Sequence, residues 1–283
     1  MSLLDIIDQA VAELGLDFSV SLVMGSDDPT VNQLRRLAVA EGKRLARKAQ
    51  WPDLVREHTF ATVASTASYA LPSDYESIVN DTAWDRTAAR PLEGPLSPAA
   101  YQNEVSGLVQ AGIVSSIRLR GGRVLVVPTP TGASTLAYEY VSNRWCSAAA
   151  WAATTVYAAN ATISSQGRRY TTTGGGTSGS TAPTHTSGSA SDGGVTWAYA
   201  DNGYREFVAD TDVTYLDEDL MVLGIKWRFL KAKELAYAEE KDEYDDNVRR
   251  AIGRQGGRRV LDLAGRGRVR RPYANLPETG YGS

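Results

Sequence analysis

The stretch Tyr69–Leu92, YALPSDYESIVNDTAWDRTAARPL, decides the reading of the fold. Pro72 fixes its own φ and pushes Leu71 into an extended conformation, so Leu71-Pro72-Ser73-Asp74 is a turn with a stated cause. Tyr69, Leu71 and Tyr75 line that turn with apolar and aromatic surface. Beyond it, Ile78, Asn80, Thr82 and Trp84 alternate with Val79, Asp81 and Ala83, and this period of two predicts one strand over 77–85. Helical patterns lie on both sides. The stretch therefore reads as a β hinge from which helices are hung.

Upstream, residues 2–14 predict an amphipathic helix with Leu3, Leu4, Ile6, Ile7, Ala10, Val11 and Leu14 as its apolar set. Ser2 is placed to cap it, Asp5 suits its positive end, and Gly15 is placed to stop it. Asp28-Pro29 is a cap followed by proline at the first helical position. The helix it opens runs to about Gln50, with Val31, Leu34, Leu37, Ala38 and Leu45 toward the core. Arg35, Arg36, Lys43, Arg44, Arg47 and Lys48 clothe the other side, a solvated or partner-facing surface in preference to a nucleic-acid one. Trp51-Pro52 breaks the helix, with one short turn through Val55.

Around the hinge, His58–Val63, Ser68–Leu71 and Thr135–Val141 read as strands, the last with Leu136, Tyr138 and Tyr140 on one face. Ser115–Arg120 and Arg123–Val127 flank Gly121-Gly122, a two-residue hairpin signal. Ser97-Pro98 opens a short helix to about Leu108. From Ala148 to Ala200 the composition turns to Gly, Ser, Thr and Ala, with Arg168, Arg169 and Asp192 the only formal charges. A linker and a folded unit both fit such a stretch, but Trp151, Tyr157, Tyr170, Trp197 and Tyr199 recur where a miniature core needs them, so we expect a folded β module.

Helical periodicity resumes after Tyr215. Leu220, Leu223, Trp227 and Leu230 form a stripe, extended by Tyr237, Tyr244, Val248 and Ile252 over ~35 residues, with a bend or break expected near Glu234. Acids outnumber bases by 13 to 6 between Arg205 and Asp246, and from Arg249 to Arg271 there are nine arginines and one acid, Asp262. The expected class is α+β: an α-helical bundle with a small antiparallel β-sheet, an inserted small all-β module and an extended C-terminal arm. The corresponding units are a discontinuous core at 1–147 and 202–256, the module at 148–201 and the arm at 257–283.

Composition narrows the function. A net charge of −3 over 283 residues gives no general affinity for nucleic acid, and no run of 18 apolar residues predicts a membrane span. The acidic N-terminus lacks a secretory n-region, and one cysteine, Cys146, leaves no intramolecular disulfide or cysteine metal cage, so assembly in a reducing cytoplasm is expected. There is no phosphate loop, dinucleotide fingerprint or nucleophile elbow. His58 and His185 have no ligand spacing, and no carboxylate pair stands out from the solvated acids, so no catalytic residue, cofactor or metal is assigned and an enzyme that degrades peptidoglycan is the weakest reading. Two binding elements are candidates. Trp151, Tyr170 and Trp197 offer rings that stack on sugars, against the plainer reading that they form the module's core. The arm carries Arg258, Arg259, Val260, Leu261, Leu263, Arg266, Arg268, Arg270 and Arg271. Its arginines fit nucleic acid, an acidic protein surface or mere solubility, and Val260, Leu261 and Leu263 among them suit a strand added to a partner, with the acidic 205–246 region as its intermolecular counterpart.

The order of these pieces resembles the head-to-tail adaptor proteins of tailed bacteriophages, also described as tail accessory or head completion proteins. The resemblance rests on LLDIIDQAVAELGL, a second helix ending in a basic stretch and Trp51, then Tyr69-Ala70-Leu71-Pro72-Ser73-Asp74-Tyr75, Asn80, Trp84, Asp85 and Pro91-Leu92, and it spans about 3–145 and again 205–255. The 148–201 stretch is similar to small β modules, described as carbohydrate-binding-like, inserted in phage structural proteins. The adaptor resemblance implies a virion protein of the neck region, assembled in the host cytoplasm, that binds the portal protein and closes a ring of about twelve copies. It also implies a channel through which genomic DNA passes without sequence-specific contact, a downstream tail partner (nozzle, stopper or tail tube), and an arm that reaches the portal. A host-surface, glycan-binding virion component acting through 148–201 is the alternative.

Overall fold

The computed structural model describes residues 1–106 and 115–255. Helix α1 (Leu3–Glu13) begins in a capping box: the Ser2 hydroxyl accepts from Asp5 N, and the Asp5 carboxylate accepts from Ser2 N. Helix α2 (Pro29–Lys48) begins at Asp28, whose carboxylate accepts from Thr30 N at 2.6 Å and Val31 N at 3.2 Å. A short 3₁₀ turn, Pro52–Leu54, leads into β1 (Val55–Ala61), so that strand starts three residues earlier than its sequence pattern suggests.

β2 (Ser68–Ala70) precedes the proline turn, which Tyr75 N closes by donating to Pro72 O. The single strand expected over 77–85 is two strands, β3 (Tyr75–Ile78) and β4 (Trp84–Asp85). Asp81 takes a φ of 64° between them, and the Thr82 hydroxyl donates to Val79 O while accepting from Glu139 N. A side chain thus completes the ladder where the backbone leaves it, which is why alternation continued through a turn. β5 (Arg90–Pro91), α3 (Pro98–Ser106), β6 (Ser116–Arg120), β7 (Arg123–Val127) and β8 (Thr135–Ser142) follow. Gly121 and Gly122 both have positive φ, as the tight β6–β7 hairpin requires.

β8 is the central strand: β1 pairs antiparallel along one side of it, and β3 and β4 along the other. A second sheet, β2-β7-β6, shares a core with it that includes Ile117, Val124, Val126, Leu136, Tyr138 and Tyr140. Next come β9 (Cys146–Ser147), β10 (Val156–Tyr157), β11 (Thr162–Ser165), β12 (Arg168–Thr172), β13 (Gly176–Thr177), β14 (Ser189–Asp192), β15 (Val195–Asp201) and β16 (Val213–Thr214). Among the described residues, strands β10 to β15 pair only with one another, as β10-β13 and β11-β12-β15-β14, while β9 and β16 pair across the base of that segment.

The helical stretch after Tyr215 is two helices, α4 (Glu218–Ala232) and α5 (Ala238–Gln255), and Glu234, at a φ of 58°, lies in the break. Residues of α1, α2, α4 and α5 share one core with Trp51, Trp145 and Phe207. Glu41 of α2 is fully buried there; it accepts from Arg228 Nε at 2.5 Å and from the Tyr244 hydroxyl, so one carboxylate ties α2 to both later helices. The chain is thus α+β.

Candidate functional site

The hinge and the 148–201 segment meet at one carboxylate. Asp74, in the proline turn, is buried and accepts from the Tyr140 hydroxyl at 2.9 Å, the Ser142 hydroxyl at 2.7 Å and Asn202 Nδ2 at 2.9 Å. Tyr140 and Ser142 belong to the central strand, whereas Asn202 follows β15, so Asp74 clasps the outgoing end of the segment to the sheet. Burial, then the Asp74 charge, raises the Tyr140 pKa well above its usual range, which keeps that hydroxyl a donor.

A second clasp lies beside it. Arg169 of β12 grips Asp201 two-pronged, Nε to Oδ1 at 2.8 Å and Nη2 to Oδ2 at 2.6 Å, and Arg144 adds an ion pair from the loop before β9. Burial works to raise the Asp201 pKa, but hydrogen bonds from Arg169, Gly203 N and Arg144 outweigh it and hold the carboxyl below its ordinary value. Arg56 of β1 donates to Gly167 O at 3.0 Å, so the turn carbonyl of the β11–β12 hairpin is engaged as well. Arg205 extends the seam to Asn143 and Ser73 O.

Inside the segment, the aromatic rings are occupied. Tyr170 and Trp197 are fully buried with Ile163 and Val195, so neither has an open face for a sugar, which corrects that expectation for both. Trp151 is half-buried. Its Nε1 donates to Asp192 Oδ2 at 2.9 Å and Trp197 Nε1 donates to the same oxygen at 3.2 Å, while Gly179 N holds Oδ1 at 2.7 Å. Asp192 is the polar centre of a small core, and the plainer reading of these aromatics is the one their contacts support. The Tyr170 hydroxyl donates to His185 O, and the two rings lie 4.9 Å apart.

The remaining candidates separate cleanly. The arm residues Arg258–Arg271 lie outside the described residues. Of the acids set against them, Glu206 pairs with Lys43, Asp245 with Lys48 and Lys241, and Asp246 with Arg249. Asp210 holds Val23 N and Met24 N, Asp212 holds Val208 N and Ala209 N, Asp217 caps α4, and Glu218 meets the N-terminal amine. Much of that acidic run is therefore internal wiring, a use that sequence spacing does not signal. Cys146 is buried, and burial followed by the nearby Asp212 and Glu206 charges drives its thiol pKa up, away from a reactive thiolate. Among the described residues, no three His, Cys, Asp or Glu side chains gather to hold a metal, and no helix is long and apolar enough to cross a membrane.

Comparison with known proteins adds one finding. Residues 1–164 match the family described as SU10 adaptor protein, a span covering more than half of the 283 residues. The chain belongs to the SU10 adaptor protein family. It is accordingly a bacteriophage structural adaptor, a virion component that contacts other phage head or tail proteins. No curated protein matches it.

Proposed function

We propose that this adaptor joins the portal to the tail, closing a ring of about twelve copies that extends the DNA channel and docks the next tail component. The observation that carries the reading is the family match over residues 1–164, which takes in the first two helices, the hinge and the central sheet. The hinge supports it mechanically. Asp74, Tyr140 and Ser142 fix the proline turn to the central strand, and Glu41, Arg228 and Tyr244 lock the helices together, as a load-transmitting joint requires.

On this reading no catalytic cycle is assigned, and 148–201 is an inserted unit carried by the connector. Arg258–Arg271 are the arm that binds the portal or a neighbouring copy, so that ring closure awaits a template. DNA passes through the ring without sequence-specific contact.

Mass photometry tests this. The purified protein is expected to be monomeric alone and to move into one high-mass species when the portal protein of the same phage is added. Absence of any complex with the portal overturns the reading, and stable rings without portal overturn its templated part.

A further inference from the structure

The central sheet ends in an open edge. β1 pairs with β8 in a register that sets Arg56 against Tyr140, His58 against Tyr138 and Phe60 against Leu136. Thr62 N donates to Ser134 O, which continues that ladder and fixes its phase: the even-numbered residues bond β8, and Glu57, Thr59 and Ala61 turn their N–H and C=O groups away from it. Among the described residues none of those six groups has a protein partner. All three residues are exposed, and no proline, glycine or lysine interrupts Val55–Ala61 to block pairing.

The two faces of this edge specify what would add to it. On the outer face, Glu57 and Glu139 are directly opposed across the strands, both exposed. Like charges in that relation repel. Arg86 reaches Glu57 at 2.5 Å, while the Glu139 carboxylate has no cation among the described residues. On the inner face, His58 and Phe60 are only partly covered, stacked 5.6 Å apart against Tyr138 and Tyr69. A complementary strand carries arginine at every second position and small or apolar residues between.

The chain contains such a segment in Arg266-Gly267-Arg268-Val269-Arg270, beyond the described residues. In an extended strand its three arginines share one face, with Gly267 and Val269 on the other. We propose that the arm of one copy adds as a strand along β1 of the neighbouring copy, arginines over Glu57 and Glu139, Gly267 and Val269 over the His58 and Phe60 rings. Arm and edge are different surfaces, so the contact is head-to-tail, the class of interface that forms a ring when the rotation between copies closes. The inference rests on the ring reading above and names the contact that closes it.

The test mixes two full-length single-substitution chains, Thr59→Cys and Arg268→Cys, distinguished by a mass tag, with portal, and treats them with a short bismaleimide; the native Cys146 is buried and stays out of the reaction. Ring formation is scored separately by imaging. A crosslinked product that joins one chain of each kind through the two introduced thiols supports the proposal. Thr59→Pro, which removes an outward N–H together with the Thr59 hydroxyl that donates to Glu57, lowers pairing at this edge, and Glu57→Lys with Glu139→Lys reverses its charge. Introduced into chains that carry the edge thiol at Ala61→Cys, each change should cut the product about tenfold. Rings without the product overturn the edge assignment and leave the ring reading standing. The product without rings supports the edge contact and overturns the ring. Neither product nor rings overturns both.

Discussion

Asn202 Nδ2 donates to Asp74 Oδ2 at 2.9 Å, joining residues 128 apart in sequence at the point where the 148–201 segment returns to the central sheet. Asp74→Ala removes that bond and leaves the Tyr140 and Ser142 hydroxyls without their acceptor inside the protein. The expected loss is about 3 kcal/mol, against about 1 kcal/mol for Asn202→Ala, which strips one donor from a carboxylate that keeps two. Urea denaturation checks both. Equal, small losses would mean that the turn is held by its apolar lining and Asp74 contributes little.

Glu41 poses the stronger test of the helical core. Its carboxylate is fully buried and depends on Arg228 and Tyr244 for compensation. Arg228→Ala strands that charge and should cost about 3–5 kcal/mol, while replacing Glu41 and Arg228 together with apolar residues of similar volume should cost much less. A double variant as unstable as the single one would contradict the account of Glu41 as a charge that needs its partner.

Inside the 148–201 segment, Asp192→Ala takes the shared acceptor from the Trp151 and Trp197 indoles and from Gly179 N. Loss of about 2–4 kcal/mol is expected, confined to this small core. Limited proteolysis should then cut between Trp151 and Tyr199 first and leave α1, α2, α4 and α5 protected. Simultaneous loss of the helices would mean that the segment and the rest unfold as one unit.

Acid should act in two separate windows. Burial among Phe60 and Tyr138 lowers the His58 pKa below 6.5, with the Asp74 charge pulling the other way. The unfolded chain therefore takes up that proton first, and stability present above 6.5 is lost as pH falls through the lower folded value. His58→Phe should flatten the change in denaturation midpoint between about pH 7 and about pH 5. Asp201 has a depressed folded pKa, so its contribution persists above 3.8 and is lost only as pH falls below that, a loss that Asp201→Asn should abolish. An unchanged slope in either variant contradicts the corresponding assignment.

The elements that local chemistry dictates were legible in the sequence. Ser2 and Asp28 marked helix starts, Gly121-Gly122 marked a hairpin, and the aromatics of 148–201 marked a core of their own. What escaped were relations between distant residues that no spacing encodes. Asp74 looked like an ordinary turn residue because Asn202 and Tyr140 are remote in the chain. Glu41 carries no signal of its own in the sequence, because Arg228 and Tyr244 are equally remote. Trp84 continued a period-two pattern across a turn at Asp81, where the Thr82 hydroxyl stands in for the backbone in the ladder. For Tyr170 and Trp197 the sugar-stacking alternative stayed open beside the core reading, because composition cannot tell a buried ring from an exposed one. Asp192, the acceptor for Trp197 and for the half-buried Trp151, was visible only as one of three charges in the segment.

The most direct measurement of the connector reading is electron cryo-microscopy of the protein bound to the portal of the same phage. The account predicts one closed ring, coaxial with the portal and open along its axis, with the hinge and helices in the ring wall. Density at an off-axis position, or a ring with its channel filled by the 148–201 segment, would contradict it.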